Sequence, residues 1–92
     1  KVATSSVKSI TYLDVTSSNI ADMTGIEDFV SLTYLDLNYN KVTAIDVSKN
    51  ILLTKLALHD NNVTSLDVTK NTQLVNLMCS KNQIKSIYIS KI

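Results

Sequence analysis

The chain has 92 residues and a formal net charge of +1, with nine lysines, eight acidic residues and no arginine. This length suits one domain, the scattered lysines argue against nucleic-acid binding, and no apolar run reaches the roughly 18 residues that a transmembrane helix needs. The single cysteine, Cys79, excludes an internal disulfide and a cysteine-based zinc site, and its leucine-like position predicts a small buried hydrophobe.

The whole chain, residues 1–92, is expected to form a single domain that begins with a short polar flank, residues 1–9. Val7, an apolar residue of this flank, is expected to cover the first structural unit. The chain opens on Lys1 rather than methionine, which favours a processed product or a fragment of a longer protein.

From residue 10 onwards one apolar pattern occurs four times. The clearest copy reads Leu32-x-x-Leu35-x-Leu37-x-x-Asn40-x-Val42, and it recurs 21 residues later from Leu53 and again from Leu74. The first copy starts at Ile10, 22 residues before the second, and has Ser18 in place of asparagine. This spacing is the signature of leucine-rich repeats.

Each copy contains a Leu-x-Leu run, which places two apolar side chains on one face of a strand. Successive copies are predicted to stack these strands in parallel, about 4.8 Å apart, so that neighbouring copies bury each other's apolar faces. The asparagines Asn40, Asn61 and Asn82 are predicted to bond backbone groups that lose their sheet partners where the chain turns.

The second half of each copy predicts extended chain rather than helix. Val42-x-x-Ile45-x-Val47-x-x-Asn50 has the spacing of the first half, and its β-branched residues alternate. Only the segment between Ile20 and Leu32 differs, where Thr24 and Gly25 favour one short helical or 3₁₀ turn with Thr24 as a possible cap. We therefore expect a mostly β solenoid with a parallel concave sheet, an extended or short-stranded convex side and little helix.

The last copy loses the convex pattern, because Tyr88 replaces the aspartates Asp46 and Asp67 of the earlier copies. An open apolar edge is expected at this end, formed by Ile84, Ile87, Ile89 and Ile92. End-to-end self-association through this last turn is one predicted outcome.

The first copy, from Asn19 through Gly25 and Phe29 to Leu32, resembles the 22-residue repeat of the internalins. The 21-residue copies, with Leu-Asp-Val-Thr-Lys-Asn at 66–71, resemble the nested repeats of bacterial surface leucine-rich proteins. The resemblance covers residues 10–91. It implies a secreted or surface-attached bacterial protein that binds proteins or other macromolecules.

The outward side chains of the concave strands differ from copy to copy, whereas those of the convex wall hardly change. Variation on one face alone favours a binding face there, and tyrosine is well suited to it because it combines a large contact area with a polar tip. The candidate partner-binding residues are Tyr12, Asp14, Tyr34, Asp36, Asn38, Tyr39, Lys55 and His59. The alternative is that these are ordinary strand residues.

No catalytic residue, metal site or cofactor is predicted. His59 and Ser80 share a column with Asp36 or Asp60 near, but an open sheet lacks an oxyanion hole and a water-excluding pocket. Asp46 and Asp67 could share a calcium ion, although Lys49 and Lys70 are placed to neutralise them. The leading hypothesis is a non-enzymatic protein-binding module; the alternatives are a structural spacer, or a glycan-binding face on which tyrosines stack against sugar rings.

Overall fold

The chain winds into a flat solenoid in which each turn adds one strand to the same sheet. The computed structural model describes residues 7–89, and the molecule measures 35 × 34 × 17 Å along its principal axes. The concave sheet has four parallel strands, β1 (Tyr12–Asp14), β2 (Tyr34–Asp36), β3 (Lys55–Ala57) and β5 (Asn76–Met78), in that order. Their register aligns the central leucines, Leu13, Leu35, Leu56 and Leu77.

The convex wall is extended, with strands only in its last two turns. There β4 (Ser65–Val68) pairs in parallel with β6 (Ser86–Ile89), with Leu66 opposite Ile87. The corresponding stretch of the preceding turn, residues 42–50, contains no strand. The predicted fold class is therefore confirmed: a mostly β solenoid of about four turns with a short-stranded convex side. Within residues 7–89 no helix has the length and apolar content that crossing a bilayer requires.

The hydrophobic core lies between the two walls and is most complete in the middle turns. Leu35 and Leu56 are fully buried, whereas Leu13 and Leu77, at the same position in the outer turns, are only partly buried. The difference follows from stacking, because a middle turn has a neighbour on both sides and an outer turn has one. Val7 is buried, in agreement with its predicted role, while residues 1–6 of the flank lie outside the described residues.

The first turn contains the expected 3₁₀ turn, at Ile26–Asp28. The prediction that Thr24 caps it was wrong. The N-cap is Gly25, in the left-handed region with φ 106°, and no side chain caps the turn; the Thr24 hydroxyl donates instead to Asp22. A Cβ on Gly25 would meet nothing within 4 Å, so glycine is needed here for its backbone conformation and not for space.

At the end of each concave strand the chain turns through a residue with positive φ. These residues are Ser17, Tyr39, Asp60 and Lys81, with φ of 55° to 62°. The residue that follows is Ser18 in the first turn and an asparagine in the others. We call these asparagines, Asn40, Asn61 and Asn82, the concave corner column. Each asparagine joins two turns: the Asn61 carbonyl accepts from the Val42 amide at 3.0 Å, and its amide group donates to the carbonyls of Leu37 and Leu58.

Asn50 and Asn71 stand at the opposite corner, where the chain leaves the convex wall, and we call them the convex corner column. Both are buried. Their amide nitrogens donate to two carbonyls each, those of Ile26 and Phe29 from Asn50 and those of Val47 and Asn50 from Asn71. Neither side-chain oxygen has a hydrogen-bond partner.

The last described turn presents apolar side chains to solvent, as expected. Ile87 is 44% exposed and Ile89 64% exposed, while Ile84 is partly buried. Ile92, the fourth residue of the predicted edge, lies outside the described residues.

Candidate binding face

The first outward column of the concave sheet is a stack of aromatic rings that ends in a cation. Residues Tyr12, Tyr34 and Lys55 occupy the same position of β1, β2 and β3. The rings of Tyr12 and Tyr34 lie 4.3 Å apart and within 13° of parallel. The Lys55 ammonium lies 4.7 Å from the Tyr34 ring centroid and 3.3 Å from the Tyr34 hydroxyl oxygen. Three of the eight candidate residues are thus in direct contact.

The three candidate tyrosines differ in solvent exposure. Tyr34 has a ring on one side and an ammonium near the other, so it is half-buried, whereas Tyr12 is 58% exposed. Tyr39 is 57% exposed but belongs to the corner, at φ 62°, and makes no ring contact with the other two among the described residues. The structure therefore brings together two of the three predicted tyrosines and leaves Tyr39 separate.

Asp14 and Asp36 have a structural role that sequence reasoning missed. The Asp14 Oδ1 atom accepts from the Thr16 amide at 3.0 Å and from the Thr16 hydroxyl at 2.6 Å, and the Asp36 Oδ1 atom accepts from the Asn38 amide at 3.0 Å. The bonds from the Thr16 hydroxyl and amide hold the pKa of Asp14 below its ordinary value, against partial desolvation. The signal was the Asp-x-Thr spacing, which is typical of an Asx turn.

The two aspartates have no equivalent in the next turns, where Ala57 and Met78 stand in the same column. The backbone amides that lose their aspartate are satisfied from the neighbouring turn instead. The His59 amide donates to Asn38 Oδ1 at 2.8 Å, and the Ser80 amide donates to His59 Nδ1 at 3.0 Å. Asn38 and His59, both predicted as partner-binding residues, therefore also tie successive turns together.

Ala57 follows Asp14 and Asp36 in the second outward column of the concave sheet, yet it is completely buried. It lies between Asp36 and Met78 in the sheet register.

His59 and Ser80 form the contact that could suggest catalysis. The Ser80 hydroxyl oxygen lies 2.6 Å from His59 Nδ1. The same nitrogen accepts from the Ser80 backbone amide, so its lone pair is already engaged in a bond that holds two turns together. A general base needs that lone pair for the proton of the nucleophile. The geometry fits a structural link better than a catalytic dyad.

The convex aspartates are likewise engaged locally. Asp46 accepts from the Ser48 amide at 2.9 Å, and Asp67 accepts from the Thr69 amide at 2.9 Å. The hydroxyl and amide bonds from Ser48 and Thr69 lower the pKa of the two carboxyl groups. Within residues 7–89 no three His, Cys, Asp or Glu side chains are grouped to hold a metal ion.

A cleft of about 640 Å³ lies beside the first turn, away from the concave columns. It is lined by apolar residues such as Val7, Met23 and Phe29 and by none of the eight candidate residues. The candidate face is thus an open surface. It offers contact area and charges to a ligand but no small-molecule pocket, because small-molecule sites bury most of their ligand in a concavity.

Comparisons with known proteins agree with this architecture. Residues 30–49 match a family model described as a leucine-rich repeat. Internalin J of Listeria monocytogenes serotype 4b (strain F2365) is 51% identical over 41 residues, which are 45% of this chain and 4% of that protein.

Two solved structures extend the similarity over most of the chain. The functional domain of internalin J from Listeria monocytogenes, which includes a cysteine ladder, superposes with a TM-score of 0.84 at 43% identity, covering 86% of this chain and 18% of that one. An internalin, inlF, from Listeria monocytogenes strain 4b F2365 gives a TM-score of 0.81 at 28% identity, covering 97% of this chain and 30% of that one. The chain thus spans less than a third of these relatives. It is a leucine-rich-repeat solenoid similar to the repeat domains of Listeria internalins.

Proposed function

We propose that the chain is a non-enzymatic protein-binding module that holds its partner on the concave face. The observation that carries this proposal is the stack of Tyr12, Tyr34 and Lys55, an ordered aromatic and cationic surface on an open sheet. Aromatic side chains ordered in advance lose little entropy on binding, and tyrosine is enriched among the residues that dominate interface energetics. Leucine-rich-repeat proteins of the internalin type typically bind proteins.

The repeats provide an internal control for this proposal. On the convex wall of the second and third turns, Asp46 is matched by Asp67 and Lys49 by Lys70, although Tyr88 replaces the aspartate in the last turn. The first concave column instead runs Tyr, Tyr, Lys, Asn over the four turns. A wall with only a structural role has no need of such variation, so the concave column is the better candidate for recognition.

Glycan binding is the weaker alternative, because a sugar ring stacks on the flat face of an aromatic side chain. Tyr34 has a ring on one face and the Lys55 ammonium near the other. Of the three candidate tyrosines of the concave face, only Tyr12 and Tyr39 are more than half exposed. A protein ligand needs no free ring face, since it can contact ring edges and hydroxyl groups.

A spacer or assembly role rests on the exposed apolar residues of the last described turn, Ile87 and Ile89. Such a role would place contacts at the end of the solenoid and would leave the concave tyrosines without effect. Internalins are surface or secreted proteins, which supports secretion or surface display on a bacterium as the setting for either role.

The test compares two triple-alanine variants in pull-downs from cell-surface and matrix extracts. One variant removes Tyr12, Tyr34 and Tyr39. The matched control removes Val30, Ile51 and Tyr88, which are 42%, 53% and 54% exposed on other surfaces. Circular dichroism verifies that both variants are folded. We expect a protein captured by the wild type to be retained by the control and lost by the tyrosine variant.

Equal capture by all three proteins would contradict the concave site. If free oligosaccharides compete with the captured species for the wild-type protein, the ligand of the concave face is a glycan and not a protein surface. If a charge at Ile87 abolishes self-association while the tyrosine variant behaves as the wild type, the spacer role is the correct one.

A further inference from the structure

A groove of about 400 Å³ lies in the convex wall between the first two turns. Hydrogen bonds join these turns at two points. The Lys41 amide donates to the Ile20 carbonyl at 2.7 Å, and the Asn50 side chain donates to the Ile26 carbonyl at 2.9 Å. Between these points the described part of the chain has no backbone hydrogen bond from one turn to the other, so the wall stays open there.

The groove has an apolar lining and an acidic rim. Its apolar side chains, such as Met23 and Ile45, are half-buried. Three carboxylates, those of Asp22, Glu27 and Asp46, also line it, and all three residues are exposed. The apolar surface therefore lies deeper than the charges. None of the lining residues is basic.

Two of the three carboxylates keep an oxygen available for a ligand. Asp22 Oδ1 accepts from the amide and the hydroxyl of Thr24, and Glu27 Oε1 accepts from the Gly25 amide at 3.1 Å. The second oxygen of each group makes no hydrogen bond within the described part of the chain. The bonds from the Thr24 hydroxyl and amide also lower the pKa of Asp22, so this group is ionised at neutral pH.

The first turn reverses the charge pattern of the convex wall. The carbonyls of Ile26, Val47 and Val68 are equivalent, because each accepts from the amide three residues later. The pairs that follow these three residues are Glu27-Asp28 in the first turn, Ser48-Lys49 in the second and Thr69-Lys70 in the third. The first turn thus carries two acidic residues where the next two turns carry a hydroxyl and a lysine.

The next groove along the same wall contains a cation of the chain itself. It has a volume of about 350 Å³ and is lined by Asp46 and Asp67, but also by Lys70. Lys49 lies within electrostatic reach of Asp46, yet it does not line the first groove. The first groove therefore has the carboxylates of its neighbour without the lysine.

This lining fits a cation that carries an aliphatic stem. A metal ion fits poorly, because within residues 7–89 no three His, Cys, Asp or Glu side chains are grouped to hold one. Lysine and arginine suit both parts of the groove, since their methylene stems pack on apolar surface while their charged ends stay near water.

We propose that this groove is a docking site for a lysine or arginine side chain in a basic segment of a protein partner. The aliphatic stem packs against Met23 and Ile45, and the charged end binds Asp22 and Glu27. This inference goes beyond the proposed function, because the groove lies in the wall opposite the concave face. The two surfaces can be occupied at the same time.

The experiment uses two matched probes, Nα-acetyl-arginine amide and Nα-acetyl-citrulline amide, which differ in the charge of the terminal group. The chain has two methionines, so methyl-labelled methionine gives two NMR signals, from Met23 in the groove and from Met78 on the concave sheet. We expect the arginine probe to shift the Met23 signal saturably, and binding to weaken as salt is added because the carboxylates are exposed. The citrulline probe should leave Met23 unshifted, and Met78 is the internal control.

Two matched variants separate this groove from the charge of the wall in general. Asp22→Asn and Asp67→Asn each remove one carboxylate and keep an oxygen acceptor for the threonine two residues later. Of the two aspartates, only Asp22 lines the groove. Asp22→Asn should weaken binding of the arginine probe about threefold, the size usual for an exposed charge pair, and adding Glu27→Gln should weaken it further. Asp67→Asn should bind as the wild type does.

Several outcomes would overturn the proposal. An unshifted Met23 signal, equal shifts with both probes, or equal affinities of the two asparagine variants would each show that the carboxylates of the groove do not bind a cationic side chain. A calcium titration that shifts Met23 in the wild type but not in Asp22→Asn would make the ligand a metal ion instead. None of these measurements involves the concave tyrosines, so this inference and the proposed function can fail separately.

Discussion

Asparagine makes different sets of hydrogen bonds in the two corner columns. In the concave corner column, Asn61 uses both ends of its amide: the oxygen accepts from Val42 and the nitrogen donates to Leu37, Leu58 and His59 carbonyls. In the convex corner column, Asn71 uses only the nitrogen, which donates to the carbonyls of Val47 and Asn50. Its oxygen is buried without a hydrogen-bond partner.

The local backbone explains this difference. At the convex corner the turn satisfies its own amides, since Asn71 donates to the Val68 carbonyl at 3.0 Å and Leu74 donates to the Asn71 carbonyl at 3.1 Å. Only carbonyls are left in need of a partner there. At the concave corner the positive-φ residue leaves amides such as that of Val42 without a backbone acceptor, so the side chain must both donate and accept.

The largest expected effect follows directly from this comparison. Asn61→Ala leaves the buried Val42 amide without its acceptor. It also removes one of the two asparagine donors from each of the Leu37 and Leu58 carbonyls, and should lower the free energy of unfolding by about 3–5 kcal/mol. Asn71→Ala removes two donated bonds and also removes an unsatisfied oxygen, so about 1–2 kcal/mol is expected. Urea unfolding followed by circular dichroism measures both. Equal losses, or a larger loss for Asn71→Ala, would mean that the oxygen of the concave column is not needed.

A smaller effect is expected two positions before the concave corner column, at the link between His59 and Ser80. His59→Ala deprives the Ser80 amide of its acceptor and should cost about 1 kcal/mol. His59→Asn should restore most of the loss, because Asn38 performs the same task for the His59 amide. Denaturation midpoints of the three proteins test this. An asparagine variant as unstable as the alanine variant would show that the imidazole acts in another way.

The smallest effect concerns acid stability beside the convex corner. The Thr69 hydroxyl donates to Asp67 at 2.7 Å, and the Thr69 hydroxyl and amide lower the Asp67 pKa below the ordinary value of 3.8. A pKa that is lower in the folded state stabilises the protein above the unfolded-state pKa, and this stability is lost as the pH falls through the folded-state pKa. Thr69→Val deletes the hydroxyl bond, so its stability should fall less between neutral pH and pH below 3.8 than that of the wild type. A parallel fall in both proteins over that range would contradict this role.

The repeat made much of the fold predictable. The leucine columns, the parallel strands and the corner asparagines follow from apolar spacing, because a residue that recurs once per turn must stack on its equivalents. The stack of Tyr12 on Tyr34 is of the same kind, since both occupy one column. The sequence did not predict which side chains bind backbone amides that lack a backbone acceptor. The positive-φ residues at the corner include Tyr39 and Lys81, and tyrosine and lysine do not favour this conformation. The amides that Asn38 and His59 bind across turns could therefore not be located from the sequence.

The hydrogen bonds between turns have a consequence for how such a chain changes in length. In the later turns these bonds join residues that are 21 positions apart, as in Asn38 to His59 and His59 to Ser80. Deletion of residues 53–73 would bring β2 beside β5 and present the Ser80 amide to Asn38. The Ser80 amide would then meet the Asn38 side-chain oxygen, which already accepts from the His59 amide, in place of His59 Nδ1. Unequal recombination between copies can therefore add or remove whole turns, because the new junction has the same kind of contacts as the existing ones. The length of the solenoid and the area of its concave face can thus change while the fold stays the same.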